Sequence, residues 1–418
     1  MSLLVVLGYV WPEPASSAAG WRMLSLLELY RTQGWQIVFA SAAERGPHRA
    51  DLTALGITEV TISLNCSSFD QWIAGLQPDV VLFDRFMLEE QFGWRVEAAC
   101  PKALRVLDSE DLHCLRAARQ QAYKEKRPLQ TTDLYSDLAI REIAAILRCD
   151  LTLTISEFEM TLLQQSFQVP ASQLVYCPFL LENTSETAAL PDFAGRQHFV
   201  FIGNFRHEPN WQAVLWLQQI WPLIRQQLPK AELHIYGAYP PPKATALHNA
   251  KQGFLIKGWA DDAAAVMRSA RVCLAPLPFG AGLKGKLIDA MQNGTPSVTT
   301  AIGSEGMCLD GQFAGLVAGD NQGIADAACL LYQDEQQWLA AQQQGFAILT
   351  QKFARKSLEL MIWQQLESAR TQLEQHRAQL FFGLMLRQQQ YRSSKFMGQW
   401  IEAKTKLAAL EQRLAERA

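Results

Sequence analysis

Short apolar runs punctuate the first 180 residues, each followed by a polar loop and then by a segment with helical spacing of its apolar positions. The runs are Leu3–Leu7, Gln36–Ala40, Glu59–Leu64, Val80–Phe83, Ala103–Leu107, Leu151–Ile155 and Leu174–Tyr176. Leu3–Leu7 is apolar throughout, as a strand buried on both faces is. Helices are predicted between the runs, among them Ala18–Thr32, Ser68–Leu76, Met87–Ala99, Leu138–Leu147 and Glu159–Gln165. Ser16 or Ser17 can cap the first of these, and Gly34 ends it. Strands that alternate with helices at this spacing predict a parallel sheet with helices on both faces.

From Leu180 to Gln197 the chain is polar and turn-rich, with Asn183-Thr184-Ser185 and Pro191-Asp192. The strand pattern then restarts at His198–Ile202, Glu232–Tyr236, Phe254–Lys257, Val272–Leu277 and Ser297–Thr300. Helices are expected at Trp211–Leu228, Asp261–Ser269 and Leu287–Gln292. After Phe313 only helices follow: Gly323–Tyr332, Gln336–Leu349 and a long region from Ala354. The chain therefore reads as α/β, with Rossmann-like domains at 1–180 and 198–352, a linker at 181–197 and a helical extension at 353–418.

One stretch concentrates the chemistry. Between Ala275 and Met307 an apolar strand runs into a loop holding Gly280, Gly282, Gly285, Lys284 and Lys286, then a short helix, Gly294-Thr295-Pro296, a strand and a second glycine turn, Ile302–Gly306. Glycines let backbone approach a ligand, free N–H groups at a helix start favour an anion, and lysines add point charges. Asp289, one turn after Lys286, can hold ribose hydroxyls. The order suits a nucleoside diphosphate, and no Walker-type loop is present.

This stretch resembles the donor-sugar region of GT-B glycosyltransferases, especially the retaining family often called glycosyltransferase family 4. The matching motifs are Asp289-Ala290-Met291, Gly294-Thr295-Pro296 and Gly303-Ser304-Glu305-Gly306. The family's two glutamates have seven residues between them; Asp289 matches the second, and Ala281 stands where the first would fall. The resemblance implies a GT-B fold, two Rossmann-like domains facing across a cleft, with a terminal segment that crosses back to the first domain. It implies that Gly203, Asn204 and Arg206, in the loop after His198–Ile202, lie near the diphosphate, with Arg206 bound to it. Ala19-Gly20 is the counterpart of a small-residue loop near the donor phosphates, or a tight helix-to-sheet contact. Gly258-Trp259 marks the turn where the base packs; Trp259 either stacks on that base or simply packs. Ser304, Glu305 and Gly306 complete the donor side.

Three loops follow strands of the first domain: Asp84-Arg85, Asp108–His113 and Ser156-Glu157. His113, among carboxylates at a helix start, can be protonated or donate a hydrogen bond near neutral pH. The resemblance places it against the donor sugar. Arg116 and Arg119 share a helical face, which meets either an anionic substrate or solvent.

Composition narrows the partners. A net charge of −3 argues against binding nucleic acid by bulk charge. Eight cysteines without C-x-x-C pairs argue against a zinc site or a disulfide framework. No Asp-x-Asp motif offers a metal site, so no metal and no cofactor beyond the nucleotide sugar are expected. Leu3–Leu7 is too short for a signal peptide and no run approaches the roughly 18 apolar residues of a membrane span, so a cytoplasmic location is expected, perhaps peripheral to a membrane. From Arg355 to Ala418 there are 11 Lys or Arg against 6 Glu. That basic extension suits a membrane surface, an acceptor or a second subunit; its apolar spacing as a whole is irregular, and no coiled coil is predicted.

The expected activity is transfer of a sugar from a nucleotide sugar to an acceptor (glycan, lipid-linked or protein), in glycan biosynthesis, with retention and without a metal. Lys286, Lys284 and Arg206 would neutralise the leaving diphosphate. The alternatives are an epimerase or hydrolase of the same donor, or a binding protein without turnover.

Overall fold

The computed structural model describes residues 2–182 and 190–416. Two parallel sheets organise them. The first has seven strands, β1 (Leu3–Gly8), β2 (Gln36–Ser41), β3 (Thr58–Thr61), β4 (Val80–Asp84), β5 (Leu104–Asp108), β6 (Leu151–Thr154) and β7 (Leu174–Tyr176), in the order β3-β2-β1-β4-β5-β6-β7. The second has six, β8 (Gln197–Ile202), β9 (Leu233–Tyr236), β10 (Phe254–Gly258), β11 (Ala270–Ala275), β12 (Ser297–Thr299) and β13 (Gly315–Val317), in the order β10-β9-β8-β11-β12-β13. The GT-B architecture expected from the sequence is present. Within the expected linker, Asn183–Ala189 lies outside the described residues.

The strands follow the apolar runs because both faces of each sheet are covered. Val5, Val6 and Leu7 of β1 are fully buried, as are Phe199 and Phe201 of β8. Two differences stand out. β13 falls where only helix was expected; its three residues extend the sheet against β12 from Ser297↔Gly315 to Thr299↔Val317. The glycine turn Ile302–Gly306 instead begins as a helical turn, Ala301–Ser304, capped by the Thr300 hydroxyl, which accepts the Gly303 N–H at 3.1 Å.

The long terminal region is three helices, Arg355–Thr371, Leu373–Ala378 and Phe381–Ala415. The first returns to the N-terminal domain, burying Leu358, Ile362 and Leu366 in the core beneath β1. Outgoing and returning chain meet at one place: the Leu181 N–H donates to the Phe353 carbonyl and the Arg355 N–H to the Leu181 carbonyl, both at 2.8 Å. Among the described residues no helix is long and apolar enough to cross a membrane.

A buried carboxylate fixes the returning segment. Asp150 accepts two bonds from Arg377, each 2.8 Å, and one from the Arg105 N–H at 2.9 Å. Its carboxyl is fully shielded from solvent. Burial pushes Asp150 up, but the guanidinium groups of Arg105 and Arg377 outweigh that and hold it below its ordinary value. Its contribution is therefore complete above the unfolded carboxyl value and lost as pH falls through the lower folded one. Asp150→Ala leaves buried guanidinium groups uncompensated and should cost about 3–5 kcal/mol in chemical denaturation at neutral pH. An unchanged denaturation midpoint would exclude this anchoring role.

Candidate active site

In each sheet the strand order reverses beside the first strand, between β1 and β4 and between β8 and β11. Open parallel sheets bind ligands beyond the strand ends at such a switch point. At the second of them the loop after β8, Gly203–Asn210, faces the loop after β11, which leads to the helix Gly285–Gln292. Lys286 bridges the two: its Nζ donates to Asn210 Oδ1 at 2.7 Å. Asn210 in turn donates through Nδ2 to the Asn204 carbonyl at 3.0 Å, and Asn204 Oδ1 accepts the Arg206 N–H at 2.9 Å. Gly203 leaves room for this, since a Cβ there would lie 2.7 Å from Asn210 Cγ.

The β11 loop is held from the other domain. Gly282, at φ +63°, donates its N–H to Glu159 Oε1 at 2.8 Å, and the same oxygen accepts the Leu112 N–H at 3.0 Å. A Cβ at Gly282 would lie 2.8 Å from that of Asp111, and one at Gly285 only 2.4 Å from that of Ala18. The starts of the helices Ala18–Thr32 and Gly285–Gln292 therefore meet across the cleft. Gly20 is similarly tight, its Cβ position 2.5 Å from the Glu13 backbone.

Further contacts close the domains. Arg119 donates to both carboxylate oxygens of Glu305, at 2.8 and 2.5 Å, and to the Gly280 carbonyl at 2.8 Å. At the far side the Tyr239 hydroxyl donates to Glu13 Oε2 at 3.2 Å, and Arg206 lies 3.7 Å above the Tyr239 ring. Trp259 stacks on His48 with ring centroids 4.3 Å apart. In this arrangement the indole face expected to meet a base is covered by an imidazole of the opposite domain. Gly258 beside it is at φ +76° with open space around its Cβ position.

The charges are shifted by their setting. Burial lowers Lys286 to about 8, only partly offset by nearby acidic groups. Lys284 is lowered too, by burial first; its amine turns back onto the Gly282 and Ala281 carbonyls at 2.5 and 3.3 Å. Asp289 keeps an exposed surface, yet the protein packed around its helix raises its carboxyl to about 6 by desolvation while Lys286 pulls the other way. His113 opens the helix His113–Lys124, and its backbone N–H donates to Glu142 at 2.9 Å. Its ring meets Phe86 edge-on, and Nε2 is 3.6 Å from Asp111. Burial lowers His113 to about 4 against the pull of Asp111, so it is neutral at pH 7 rather than poised to titrate there. Burial pushes Asp111 up, but Arg116 and His113 outweigh it and hold its carboxyl well below the usual range.

The structure thus brings Gly203, Asn204, Gly282, Lys284, Gly285 and Lys286 together around one switch point, with the Asp111–His113 loop across from them. Ser304 turns inward, its hydroxyl donating to the Ala301 carbonyl at 3.2 Å. Gly306, at φ +71°, packs under the β11 loop, a Cβ there lying 2.8 Å from Leu283. Ala281 joins the N-terminal core; the carboxylate of Glu159 bonds this loop at Gly282, and that of Glu305 meets it through Arg119. Glu159 and Asn210 were not singled out from the sequence. The Pro209-Asn210 pair opening a helix was the one visible signal for Asn210; Glu159 shows only once the domains face each other. Among the described residues one three-ligand group could face a metal, His198, Glu232 and His234 at the opposite end of β8 and β9. Its two imidazoles stack 4.2 Å apart, and both turn a ring nitrogen towards the same Glu232 oxygen, at 3.6 and 2.8 Å.

Residues 196–334 match the family model described as Glycosyl transferases group 1. A comparison with curated protein sequences gives no match. Among solved structures, sucrose-phosphate synthase from Thermosynechococcus elongatus is similar with a TM-score of 0.64 and 16% identity, over 88% of this chain and 100% of that one. TarM from S. aureus has a TM-score of 0.67 at 9% identity, over 88% and 99%. Anabaena HepE, solved with UDP and glucose, has a TM-score of 0.63 at 13% identity, over 87% and 99%. The chain has the fold of these GT-B glycosyltransferases, and its second domain carries the group 1 match.

Arg119→Ala would leave Glu305 and the Gly280 carbonyl without their partner. Truncating one member of such a pair costs about 2–5 kcal/mol, enough to depopulate a closed state. Small-angle X-ray scattering should then show a larger radius of gyration than wild type; an unchanged profile would mean the pair does not hold the domains together.

Proposed function

We propose that this protein is a glycosyltransferase that moves a sugar from a nucleotide sugar to an acceptor hydroxyl in the cleft between its domains. The observation that carries the proposal is the Lys286–Asn210 contact across the β8/β11 switch point, at the start of a helix. A desolvated ammonium beside free helix N–H groups suits a diphosphate. The group 1 match over residues 196–334 supports the reading. Uridine diphosphate is the first donor base to test, since HepE was solved with UDP and the pneumococcal O-GlcNAc transferase GtfA with UDP and GlcNAc.

In the proposed reaction the bond between the anomeric carbon and the phosphate oxygen breaks, and its electron pair stays on the diphosphate. The acceptor oxygen bonds to the anomeric carbon on the face the diphosphate leaves, giving retention, and the acceptor proton passes to a diphosphate oxygen. Lys286 stabilises the charge that develops on the leaving group. Arg206 and Lys284 swing from Tyr239 and from the loop carbonyls to join it when donor enters. Asp289 takes the ribose, Gly203, Asn204, Gly282 and Gly285 offer close backbone, and neutral His113 hydrogen-bonds the sugar. Trp259 receives the base once His48 withdraws; Gly20, Gly258, Ser304, Glu305 and Gly306 shape the loops around the donor. No metal and no further cofactor are needed for charge neutralisation by these cations, and hydrolysis is suppressed by domain closure.

A thermal-shift panel of nucleoside diphosphates and their sugars tests the donor: at 100 times the dissociation constant binding adds about 2.7 kcal/mol. No shift across the panel would sink the proposal. Lys286→Ala should lower kcat by about 100- to 1000-fold with an unchanged melting temperature. Turnover like wild type in that variant rejects the assignment. A pH test follows from the lysine near 8. Diphosphate binding favours its charged form, so affinity for UDP, read by calorimetry, should be level between pH 7 and 8, above the titrations of Asp289 and of the terminal phosphate, and fall up to about tenfold per pH unit above pH 8. Lys286→Ala should weaken binding and remove its share of the slope; a wild-type affinity that is flat to pH 9.5 contradicts the charge role.

A further inference from the structure

The terminal helix Phe381–Ala415 has two different faces. One docks on the N-terminal domain through Gly383, Arg387, Tyr391 and Gly398, all buried. A Cβ at Gly383 would lie 2.2 Å from the Leu147 carbonyl, and the Tyr391 hydroxyl donates to buried Glu89 at 2.7 Å. The last anchor is Ser67, whose hydroxyl donates to Glu402 at 2.7 Å. Beyond it, every described residue from Ala403 to Glu416 is exposed. A free-standing helix shorter than about 12–15 residues is marginal in water.

The other face carries large apolar side chains in the open. Phe396 is 64% exposed, Trp400 59%, Leu407 57%, Leu410 55% and Leu414 66%. With Ala403 they stand at steps of four, three, four, three and four residues. That is the a/d seam of a coiled coil, with Phe396, Ala403 and Leu410 at d and Trp400, Leu407 and Leu414 at a. The irregular spacing of the extension as a whole disappears once its first two helices are set apart.

We propose that the distal half of this helix pairs in parallel with the same segment of a second copy of the chain. Charge selects that occupant and orientation. In this register Lys406 is at g and Glu411 at the e position of the next heptad, which meet across a parallel dimer and form two symmetric ion pairs. An anionic lipid surface would attract Lys404, Lys406 and Arg413 beside the seam and repel Glu411; only a second chain in register gives Glu411 a partner, and that pairing selects the occupant. The seam from Phe396 to Leu414 is about 28 Å long, and it points away from the domain on which the helix rests.

Sedimentation velocity of the full chain tests this. At micromolar concentration the wild type should have twice the 46.9 kDa chain mass. Leu407→Glu with Leu410→Glu should return it to a single chain, with an unchanged circular dichroism melting curve for the two domains. Lys406→Glu alone should raise the dimer dissociation constant by about tenfold, and adding Glu411→Lys should restore it. A wild type of single-chain mass overturns the proposal, as does a dimer insensitive to the paired glutamates or a charge swap that restores nothing. Single-chain mass with co-sedimentation on phosphatidylglycerol vesicles, lost in the Leu407/Leu410 variant, would overturn it and assign the seam to lipid.

Discussion

One carboxylate oxygen organises the meeting of the two domains. Glu159 Oε1 accepts an N–H from Leu112, in the loop that carries Asp111 and His113, and another from Gly282, in the loop that carries Lys284 and Lys286. It therefore sets the histidine loop and the lysine loop relative to each other. Burial raises Glu159, with the two N–H groups opposing. The closed arrangement thus rests on a group whose charge is costly unless both donors are present. Arg119 and Glu305 add a second lock a short way along the same interface.

The same interface explains which parts of the site were legible in the sequence. The lysines, glycines and Asp289 lie within one loop and helix, so their chemistry reads from adjacency. His113 could be placed at a strand's carboxyl end, but its neutral state depends on burial against Phe86 at the start of its helix. Glu159 resembles any acidic residue in a helix's first turn. Arg119 was visible as one of two arginines on a helical face, and only closure shows that it meets Glu305. Trp259 was read as stacking on a base or simply packing; that His48 takes its face in the closed state follows from no local pattern.

The fold was more legible, because a doubly covered sheet demands uninterrupted apolar runs. β13 escaped because three residues at a sheet edge, two of them half-buried and one exposed, do not make such a run. The turn Ala301–Ser304 escaped because its central glycine argues for a loop. Gly303 is there for packing: a Cβ would lie 1.9 Å from the Thr299 hydroxyl oxygen. The extension was read as one long helical region without internal boundaries because the breaks near Gln372 and Gln379 carry neither glycine nor proline.

The place where Leu181 pairs with Phe353 and Arg355 has a mechanical side. Leu180 belongs to the first domain's core and Leu181 to the second's; Phe353 belongs to the second and Leu358 to the first. Both passages between the domains are thus fastened together at that pairing. Two tethers side by side resist twisting far more than bending. The domains are left with one easy rotation, about an axis through that fastening, and every loop on the cleft must part and return along the same arc.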